Sequence, residues 1–260
     1  MIGVIAGDVI GSVHEHRMTK SVEFQLFDPL CRCTDDTVLT VATAYAILTG
    51  TPYEKAYRDF GRQYPDAGYG GAFYQWLLTA EPRPYNSWGN GSAMRVAPVG
   101  FAFTTLDEVL QEAERSAAVT HNHLEGIKGA QSTEVAVFMA RSGASKEDIR
   151  DELMWRFGYD LRRSINQIRP GYQWDVSCQA SVPEAIIAFL DSADVEHAIR
   201  LAISLGGDSD TQAAIAGGIA DAFYGGVPEA IVGPVRERLP RQFLDVIDAF
   251  GQAFPRSVLP

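Results

Sequence analysis

Residues 206–224 read GGDSDTQAAIAGGIADAFY, and this stretch carries the strongest structural signal in the chain. From Ala213 to Tyr224 the sequence is apolar on nearly every face of a helix, with Gly217 and Gly218 in the middle. A helix that is apolar all round is buried, and glycines along it let neighbouring helices approach closely. The stretch therefore predicts a central, buried helix against which other helices pack.

Helical periodicity continues through most of the chain. An i, i+3, i+4, i+7 spacing places one set of apolar residues on a single helix face: Val38, Val41, Ala42, Tyr45 and Leu48. Strand signals are scarce, and the segment 22–27 is the one plausible short candidate. No break in composition separates two domains. We therefore expect a mostly α-helical protein in which residues 1–260 form a single domain.

Three pairs of residues have the spacing of a capping box, in which a hydroxyl and a carboxylate satisfy backbone amides at the start of a helix. They are Thr105 with Glu108, Ser145 with Asp148, and Ser181 with Glu184. Pro183 would then lie in the first turn of the third helix, where its missing amide costs little. We expect helices to begin at these three points.

The chain of 260 residues is 46% hydrophobic and 21% charged, which favours a large folded core over disorder or a coiled coil. Its 22 basic and 33 acidic residues give a formal net charge of -11, which disfavours non-specific binding to nucleic acid or anionic lipid. No window approaches the roughly 20 apolar residues of a membrane span. The excess carboxylates therefore either lie in solvent or hold metal.

The cysteines Cys31, Cys33 and Cys178 are odd in number and do not suggest a disulfide framework. The amino-terminal segment lacks the basic region of a signal peptide, and Asp8 interrupts its apolar run. Both features favour a cytoplasmic protein. Cys31 and Cys33 could begin a thiolate metal site, but no second Cys or His pair at ligand spacing accompanies them, so we expect free thiols.

Two short acidic motifs resemble each other and lie far apart in the chain: Thr34-Asp35-Asp36-Thr37 and Gly206-Gly207-Asp208-Ser209-Asp210-Thr211. Each opens an apolar helix, where free amides and the helix dipole stabilise negative charge. Either motif alone is explained as a helix cap. If the two helix starts meet, however, four carboxylates come together, and they cannot all stay ionised without cations.

The donor atoms that these motifs offer are all oxygens, which select Mg²⁺, Mn²⁺ or Ca²⁺ over zinc or copper. Four carboxylates have charge enough for two divalent ions. An Asp-x-Asp motif also occurs in haloacid-dehalogenase-type phosphatases, but there it should end a hydrophobic strand. Here the residues 199–205 before it continue a helical pattern, which argues against a phosphatase.

Further candidates lie elsewhere. In Gly7-Asp8-Val9-Ile10-Gly11-Ser12 the glycines could let helices approach and Asp8 could cap one, while Glu15 is a candidate base if its loop folds over the metals. The segment 85–95, YNSWGNGSAMR, is typical of a ligand loop because its glycines admit a phosphate and Trp88 offers a face to a base. His121 and His123 suit either substrate contacts or a structural role.

Taken together, the motifs resemble the ADP-ribosylglycohydrolase family. Six stretches occur in the family's order between residue 3 and about residue 225: Gly7-Asp8-x-x-Gly11-Ser12, Thr34-Asp35-Asp36-Thr37, Gly68-Tyr69-Gly70, Gly89-Asn90-Gly91-x-Ala93-Met94-Arg95, Thr120-His121, and Gly206-Gly207-Asp208-Ser209-Asp210-Thr211. Each is modest alone, but six in the same order are specific.

The resemblance implies an all-α, single compact orthogonal multi-helix domain with a dinuclear metal cleft that cleaves the bond between the distal ribose of ADP-ribose and an acceptor. The metals would be two Mg²⁺, with Mn²⁺ or Ca²⁺ as substitutes, held by Thr34, Asp35, Asp36, Asp208, Asp210 and Thr211. The catalytic candidates are Glu15 and Asp36. The implied substrate-binding residues are Gly70, Gly71, Ser87, Trp88, Gly89, Asn90, Gly91, Ser92 and His121.

Some questions stay open at this point. The segment between Glu15 and Thr34 is short compared with many family members, so the acceptor could be an arginine, a serine, a nucleic acid or a small molecule such as O-acetyl-ADP-ribose. The alternative to an enzyme is a non-catalytic ADP-ribose-binding or crystallin-like relative. We expect a monomer. A basic cluster could guide an anionic substrate, although a solvated helix face is favoured: Arg156, Arg162, Arg163 and Arg169.

Overall fold

The computed structural model describes residues 1–255, and their regular structure is helical apart from one isolated β-bridge between Gly89 and Ser177. The α-helices are α1 (Ile2–Gly11), α2 (Asp35–Thr49), α3 (Tyr53–Gln63), α4 (Gly71–Leu78), α5 (Pro98–Ala102), α6 (Leu106–Ala118), α7 (Leu124–Arg141), α8 (Lys146–Phe157), α9 (Ile165–Ile168), α10 (Cys178–Leu190), α11 (Val195–Ile203), α12 (Ser209–Phe223), α13 (Glu229–Arg236) and α14 (Arg241–Ala253). A short 3-10 turn covers Asn90–Ser92. The prediction of an all-α fold is confirmed.

Helix α12 is the centre of this arrangement. It is buried from Ser209 to Asp221, and it contacts α1, α2, α7, α10 and α11. The prediction of a central buried helix is therefore confirmed. Among residues 1–255, no helix combines the length and hydrophobicity needed to cross a membrane.

The closest helix pair is α1 with α12, and glycine makes the approach possible. Gly3, Gly7 and Gly11 recur at intervals of four, which puts them on one face of α1. A Cβ atom on Gly7 would overlap the carbonyl group of Ala213, and one on Gly11 would lie 2.5 Å from the Cα atom of Asp210. We call this three-glycine face of α1 the glycine seam. It lets the two backbones touch along the length of α1.

The segment 22–27 was the one strand candidate, within a stretch otherwise typical of a loop, and it does not form a strand. It belongs to an irregular loop that covers residues 12–34. Its carbonyl groups bond to a side chain instead of a neighbouring strand: Arg200 of α11 donates to the backbone oxygens of Val22 and Phe24, both at 2.9 Å. The guanidinium also lies 4.8 Å from the centroid of the Phe24 ring. A long-range contact thus replaces the ladder that the β-branched and aromatic residues suggested.

Two of the three predicted capping boxes are confirmed, at Thr105 for α6 and at Ser145 for α8. The third was wrong, because α10 begins at Cys178, one turn earlier than expected. The cause is the β-bridge, in which the Cys178 amide donates to the Trp88 carbonyl oxygen at 2.9 Å and fixes the chain there. Pro183 consequently lies inside the helix, and Glu184 accepts from Arg163 instead.

The glycine seam makes a prediction about stability. Replacing Gly7→Ala should reduce the free energy of unfolding by about 3 kcal/mol, because the methyl group must push α1 away from the backbone of α12. Urea unfolding followed by circular dichroism measures the change. Gly251→Ala in α14 is the matched control, since a Cβ there meets no atom within 4 Å; it should be neutral or stabilising by up to about 1 kcal/mol. Equal effects of the two substitutions would contradict the seam.

Candidate metal centre and ligand cleft

The starts of α2 and α12 meet at a cleft of about 510 Å³. Thr34 is the N-cap of α2, and its hydroxyl accepts from the Asp36 amide; Asp208 is the N-cap of α12. Both helix dipoles therefore direct their positive ends at the cleft. The sequence motifs come together as expected, and all six oxygen-donor candidates line the cleft: Thr34, Asp35, Asp36, Asp208, Asp210 and Thr211.

Asp8 joins α1 to the start of α2. It is fully buried in the middle of α1, so it is not the N-cap of its own helix; instead it caps α2 from outside by accepting from the Thr37 amide in the first turn of that helix. Its carboxylate accepts from the Thr34 amide at 2.9 Å, from the Thr34 hydroxyl at 2.6 Å, and from both the amide and the hydroxyl of Thr37. Four donors to one carboxylate hold the first turn of α2 in place. The available signal in the sequence was an acid in the middle of an apolar helix, directly after Gly7 and three residues before Gly11.

Like charges are crowded at the base of the cleft. Three carboxylate oxygens lie within 4.8 Å of one another, one each from Asp8, Asp36 and Asp210. Burial, and then the charge of Asp210, raise the pKa of Asp36 well above its ordinary value. Burial and the charge of Asp208 do the same to the pKa of Asp210. Burial and the charge of Asp8 raise the pKa of Asp35 to about 8.

This cluster suits a hard divalent cation. Within residues 1–255, the Oδ1 atom of Asp36 is buried without a hydrogen-bond partner, while its Oδ2 atom accepts from the Thr211 hydroxyl at 3.3 Å. A buried carboxylate oxygen without a donor is costly unless a cation lies beside it. The surrounding donors are carboxylate and hydroxyl oxygens, which are the ligands of magnesium, manganese and calcium.

The glycine loop, residues 85–92, is attached directly to the acidic cluster. The side-chain amide of Asn90 donates to Asp208 Oδ2 at 2.7 Å and to the Ser181 hydroxyl at 3.2 Å, which occupies both of its N–H groups. Asn90 thus orients a candidate metal ligand. Ser92 is buried, and its hydroxyl donates to the Gly126 carbonyl oxygen at 2.7 Å. Neither side chain has a donor left for a ligand, and their roles in substrate binding stay predictions.

Other predicted substrate contacts lie around the opening. Those that line the cleft are Gly70, Gly71, Ser87, Gly89, Asn90, Gly91 and His121. Trp88 is half exposed and does not line it; its ring lies 5.6 Å from that of His123. Trp174 and Val176 do line it, although the sequence analysis missed them. The signal in the sequence was a tryptophan, Trp174, in the segment just before α10.

Glu15 also reaches the cleft, with 29% of its side chain exposed. After burial and nearer charges, its carboxylate is one of the influences that raise the pKa of Asp35 and of Asp210. The loop 12–34 therefore brings Glu15 to the cluster. His123, in contrast, caps α7, because its Nδ1 atom accepts from the Glu125 amide at 3.1 Å, which is a structural role.

Three arginines of the basic cluster bind other residues of the protein. Arg156 pairs with Glu152, Arg163 with Glu184, and Arg169 donates to the Ser204 hydroxyl. None of the four arginines lines the cleft, which agrees with a solvated face. Cys31, Cys33 and Cys178 are free thiols, as expected.

Comparison with known proteins identifies the family. The sequence profile of the family described as ADP-ribosylglycohydrolase matches residues 1–257. ADP-ribosylhydrolase ARH3 of Mus musculus is 28% identical over 313 residues, covering 88% of this chain and 84% of that protein. ADP-ribosylarginine hydrolase Tri1 of Pseudomonas putida is 33% identical over 148 residues, covering 53% of this chain and 38% of that protein.

A solved structure described as an ADP-ribosylglycohydrolase-related protein complex has the same fold, with a TM-score of 0.73 and 24% sequence identity over 97% of this chain and 95% of that chain. The chain belongs to the ADP-ribosylglycohydrolase family. The resemblance drawn from the six motifs is confirmed, and the protein is an enzyme of this family.

The crowded carboxylates make a prediction about pH and metal. A carboxyl whose pKa is raised on folding stabilises the protein fully below its unfolded pKa, and this stability is lost as the pH rises through the folded value. In chelator, the melting temperature should therefore fall by about 5 °C between about pH 5 and about pH 8. Mg²⁺ or Mn²⁺ should reverse the fall most strongly at the higher pH, because the ligands must be deprotonated. Differential scanning fluorimetry measures both effects.

The variant Asp36→Asn tests whether repulsion within the carboxylate cluster, rather than the net charge of the protein, lowers the melting temperature. It replaces a buried ionisable carboxyl at nearly constant shape. Because burial and the charge of Asp210 raise the pKa of Asp36, ionisation of that carboxyl is costly in the folded protein, so the chelated variant should melt above the chelated wild type at about pH 8 and should lose its response to Mn²⁺. The exposed Asp66→Asn variant is the control and should behave like the wild type. If Asp36→Asn instead lowers the melting temperature in chelator at that pH, repulsion among the carboxylates does not destabilise the metal-free protein.

Proposed function

We propose that this protein, acting as a monomeric single domain in the cytoplasm, hydrolyses the bond between the distal ribose of ADP-ribose and an acceptor. It would thereby reverse ADP-ribosylation. The cofactors would be two Mg²⁺, with Mn²⁺ or Ca²⁺ as substitutes. The cytoplasmic assignment is supported by three free thiols, and the metal assignment by the all-oxygen donor set.

One observation carries the proposal: a self-repelling carboxylate cluster forms the base of a cleft large enough for a nucleotide-sized ligand. The cleft also has a glycine-rich wall, where backbone amides can approach a diphosphate. A cleft that resulted only from imperfect packing of apolar side chains would not have carboxylates this close together at its base. A protein that only binds ADP-ribose has no use for two cations beside the sugar, which favours hydrolysis over the non-catalytic alternative.

The reaction breaks a bond at the anomeric carbon and passes through an oxocarbenium-like state, so it needs a positioned water and a base. Divalent cations bound at the cluster would supply a fixed site for ribose hydroxyls and would lower the pKa of a water molecule. Glu15 is our first candidate for the group that takes the proton from the attacking water, because its carboxylate lies at the cleft beside the cluster. Asp36, with its unpartnered oxygen, is the second.

The remaining residues orient these groups. Asp8 fixes the Thr34 hydroxyl by accepting its hydrogen, and the Asp36 amide donates to the same oxygen, which leaves one lone pair of that oxygen for a cation. At the start of α12, Asn90 fixes the Asp208 carboxylate by donating to its Oδ2 atom. Both orienting contacts are shorter than 3 Å and buried. The centre would therefore keep its geometry while substrate binds and leaves.

The loop 12–34, through Glu15, His16 and Arg32, and the wall at Trp174 both line the cleft, and we expect them to decide the acceptor. The Pseudomonas putida relative is named for ADP-ribosylarginine, which makes arginine-linked ADP-ribose one acceptor to examine. Serine-linked and nucleic-acid-linked ADP-ribose and O-acetyl-ADP-ribose are the other members of the panel.

The test is incubation of the purified protein with Mg²⁺ and this defined panel, with free ADP-ribose quantified by chromatography. The wild type should release ADP-ribose from at least one substrate. Asp35→Ala and Asp208→Ala should reduce release by about 100-fold or more because they remove candidate ligands. Glu15→Gln should reduce it by about 10²-fold to 10⁴-fold while Mn²⁺ still raises the melting temperature, since only the proton acceptor is lost.

Two outcomes would contradict the proposal in different ways. Equal release by the wild type and the two alanine variants would exclude the metal mechanism. Tight binding of ADP-ribose, measured by calorimetry, without release from any substrate would indicate the non-catalytic alternative.

A further inference from the structure

Arg95 occupies an unusual position at the wall of the cleft. Its side chain is completely buried, and within residues 1–255 no carboxylate lies within ion-pair distance of it. Its Nε and Nη1 atoms have no hydrogen-bond partner there. The guanidinium instead faces the ring of Tyr57, 4.3 Å from the centroid, and that of Phe73 at 5.8 Å. Burying an unpaired cation is costly, so the position calls for an explanation.

The guanidinium makes one short hydrogen bond, and it begins a chain of two. Arg95 Nη2 donates to the hydroxyl oxygen of Thr120 at 2.8 Å. That same oxygen lies 2.7 Å from the Nδ1 atom of His121. A guanidinium only donates, so the Thr120 oxygen accepts from Arg95 and its own hydrogen is free to point at the imidazole. Nδ1 then accepts, which leaves the ring hydrogen on Nε2.

Nε2 is the atom of His121 that faces the glycine loop. A Cβ atom on Gly91 would lie 3.2 Å from Nε2, and one on Gly89 would lie 3.7 Å away. Both glycines line the cleft together with His121. Because these two residues have no side chains, the space over Nε2 stays open to a ligand.

We propose that Arg95 and Thr120 are positioning residues that hold His121 as the Nε2–H tautomer, so that its neutral ring donates a hydrogen bond to a ligand oxygen above Gly89 and Gly91. The inference rests on the proposed function for the identity of that ligand, a diphosphate oxygen of ADP-ribose. The relay itself is a property of the protein alone. It also places the buried charge of Arg95 two hydrogen bonds from the imidazole of His121, where it polarises the group that donates to the ligand.

The surroundings keep the ring neutral. Burial, and then the charge of Arg95, lower the pKa of His121 well below its ordinary value. A neutral imidazole has one hydrogen, so the tautomer decides whether the cleft receives a donor or an acceptor. An acceptor would repel an anionic oxygen. The rival arrangement gives the Thr120 hydrogen to the phenol of Tyr85, which also lies beside Thr120, and leaves Nδ1 of His121 protonated.

The first experiment needs no variant protein for its readout. Long-range ¹H–¹⁵N spectra of the full chain labelled with ¹⁵N-histidine distinguish the two nitrogens, and a His121→Asn sample assigns the signals. We expect a pyridine-type shift for Nδ1 and a pyrrole-type shift for Nε2 at neutral pH. The reverse pattern would overturn the relay, whatever the enzyme acts on.

The second experiment links the relay to the ligand. Thr120→Val removes the hydroxyl at nearly constant volume, and Thr120→Ser retains it as the matched control. The valine variant should show mixed tautomers and bind ADP-ribose about tenfold more weakly in calorimetry, because a donor to an anionic group is partly lost. The serine variant should stay within about threefold of the wild type. Both variants should keep the Mn²⁺-dependent rise in melting temperature, which reports that the cluster is intact.

The relay and the proposed function are overturned by different results. Wild-type affinity in Thr120→Val would overturn the role of the relay in binding. Absence of ADP-ribose binding by the wild type, with the expected tautomer observed, would instead overturn the proposed function and leave the relay standing.

Discussion

The backbone contact between α1 and α12 is the constraint from which the site follows. Three glycines on α1 bring the two helices closer than side chains would allow, and the last of them touches the backbone at Asp210. The same closeness carries Asp8 into the space between α12 and α2, where it accepts four hydrogen bonds from the start of α2. Two helix starts, distant in the chain, are thus fixed against one short helix. The acidic cluster is the result of that geometry.

Local chemistry explains what could be predicted from the sequence. Helix periodicity, two capping boxes and the acidic helix starts depend on residues within a few positions of one another, so the sequence reveals them directly. The family resemblance then joined the two acidic motifs into one site. The errors have the opposite character. The segment 22–27 is shaped by Arg200, and the start of α10 is fixed by a bridge to Gly89, both of which are long-range contacts.

The contacts that the sequence analysis missed share this property. The four bonds of Asp8, the attachment of Asn90 to Asp208 and the bond between Arg95 and Thr120 each join separate elements. None has a spacing that a local pattern could reveal. Each sets the orientation of a group that a motif had already identified. The motifs therefore named the chemical groups, and tertiary contacts decide which atoms of those groups face the cleft.

The glycine seam also has a consequence for the order of biosynthesis. The amide of Gly3 bonds to Asp221, 218 residues further along the chain. At about 5–20 residues per second, a ribosome takes roughly 10–40 s to supply the partner of α1. During that interval α1 can pack against α2 but lacks α12, against which most of its surface packs, and the acidic cluster does not yet exist. Contacts of such separation also slow folding. The apolar surface of α1 therefore waits for its main partner, and the acidic cluster can form only after Asp208 and Asp210 have been synthesised.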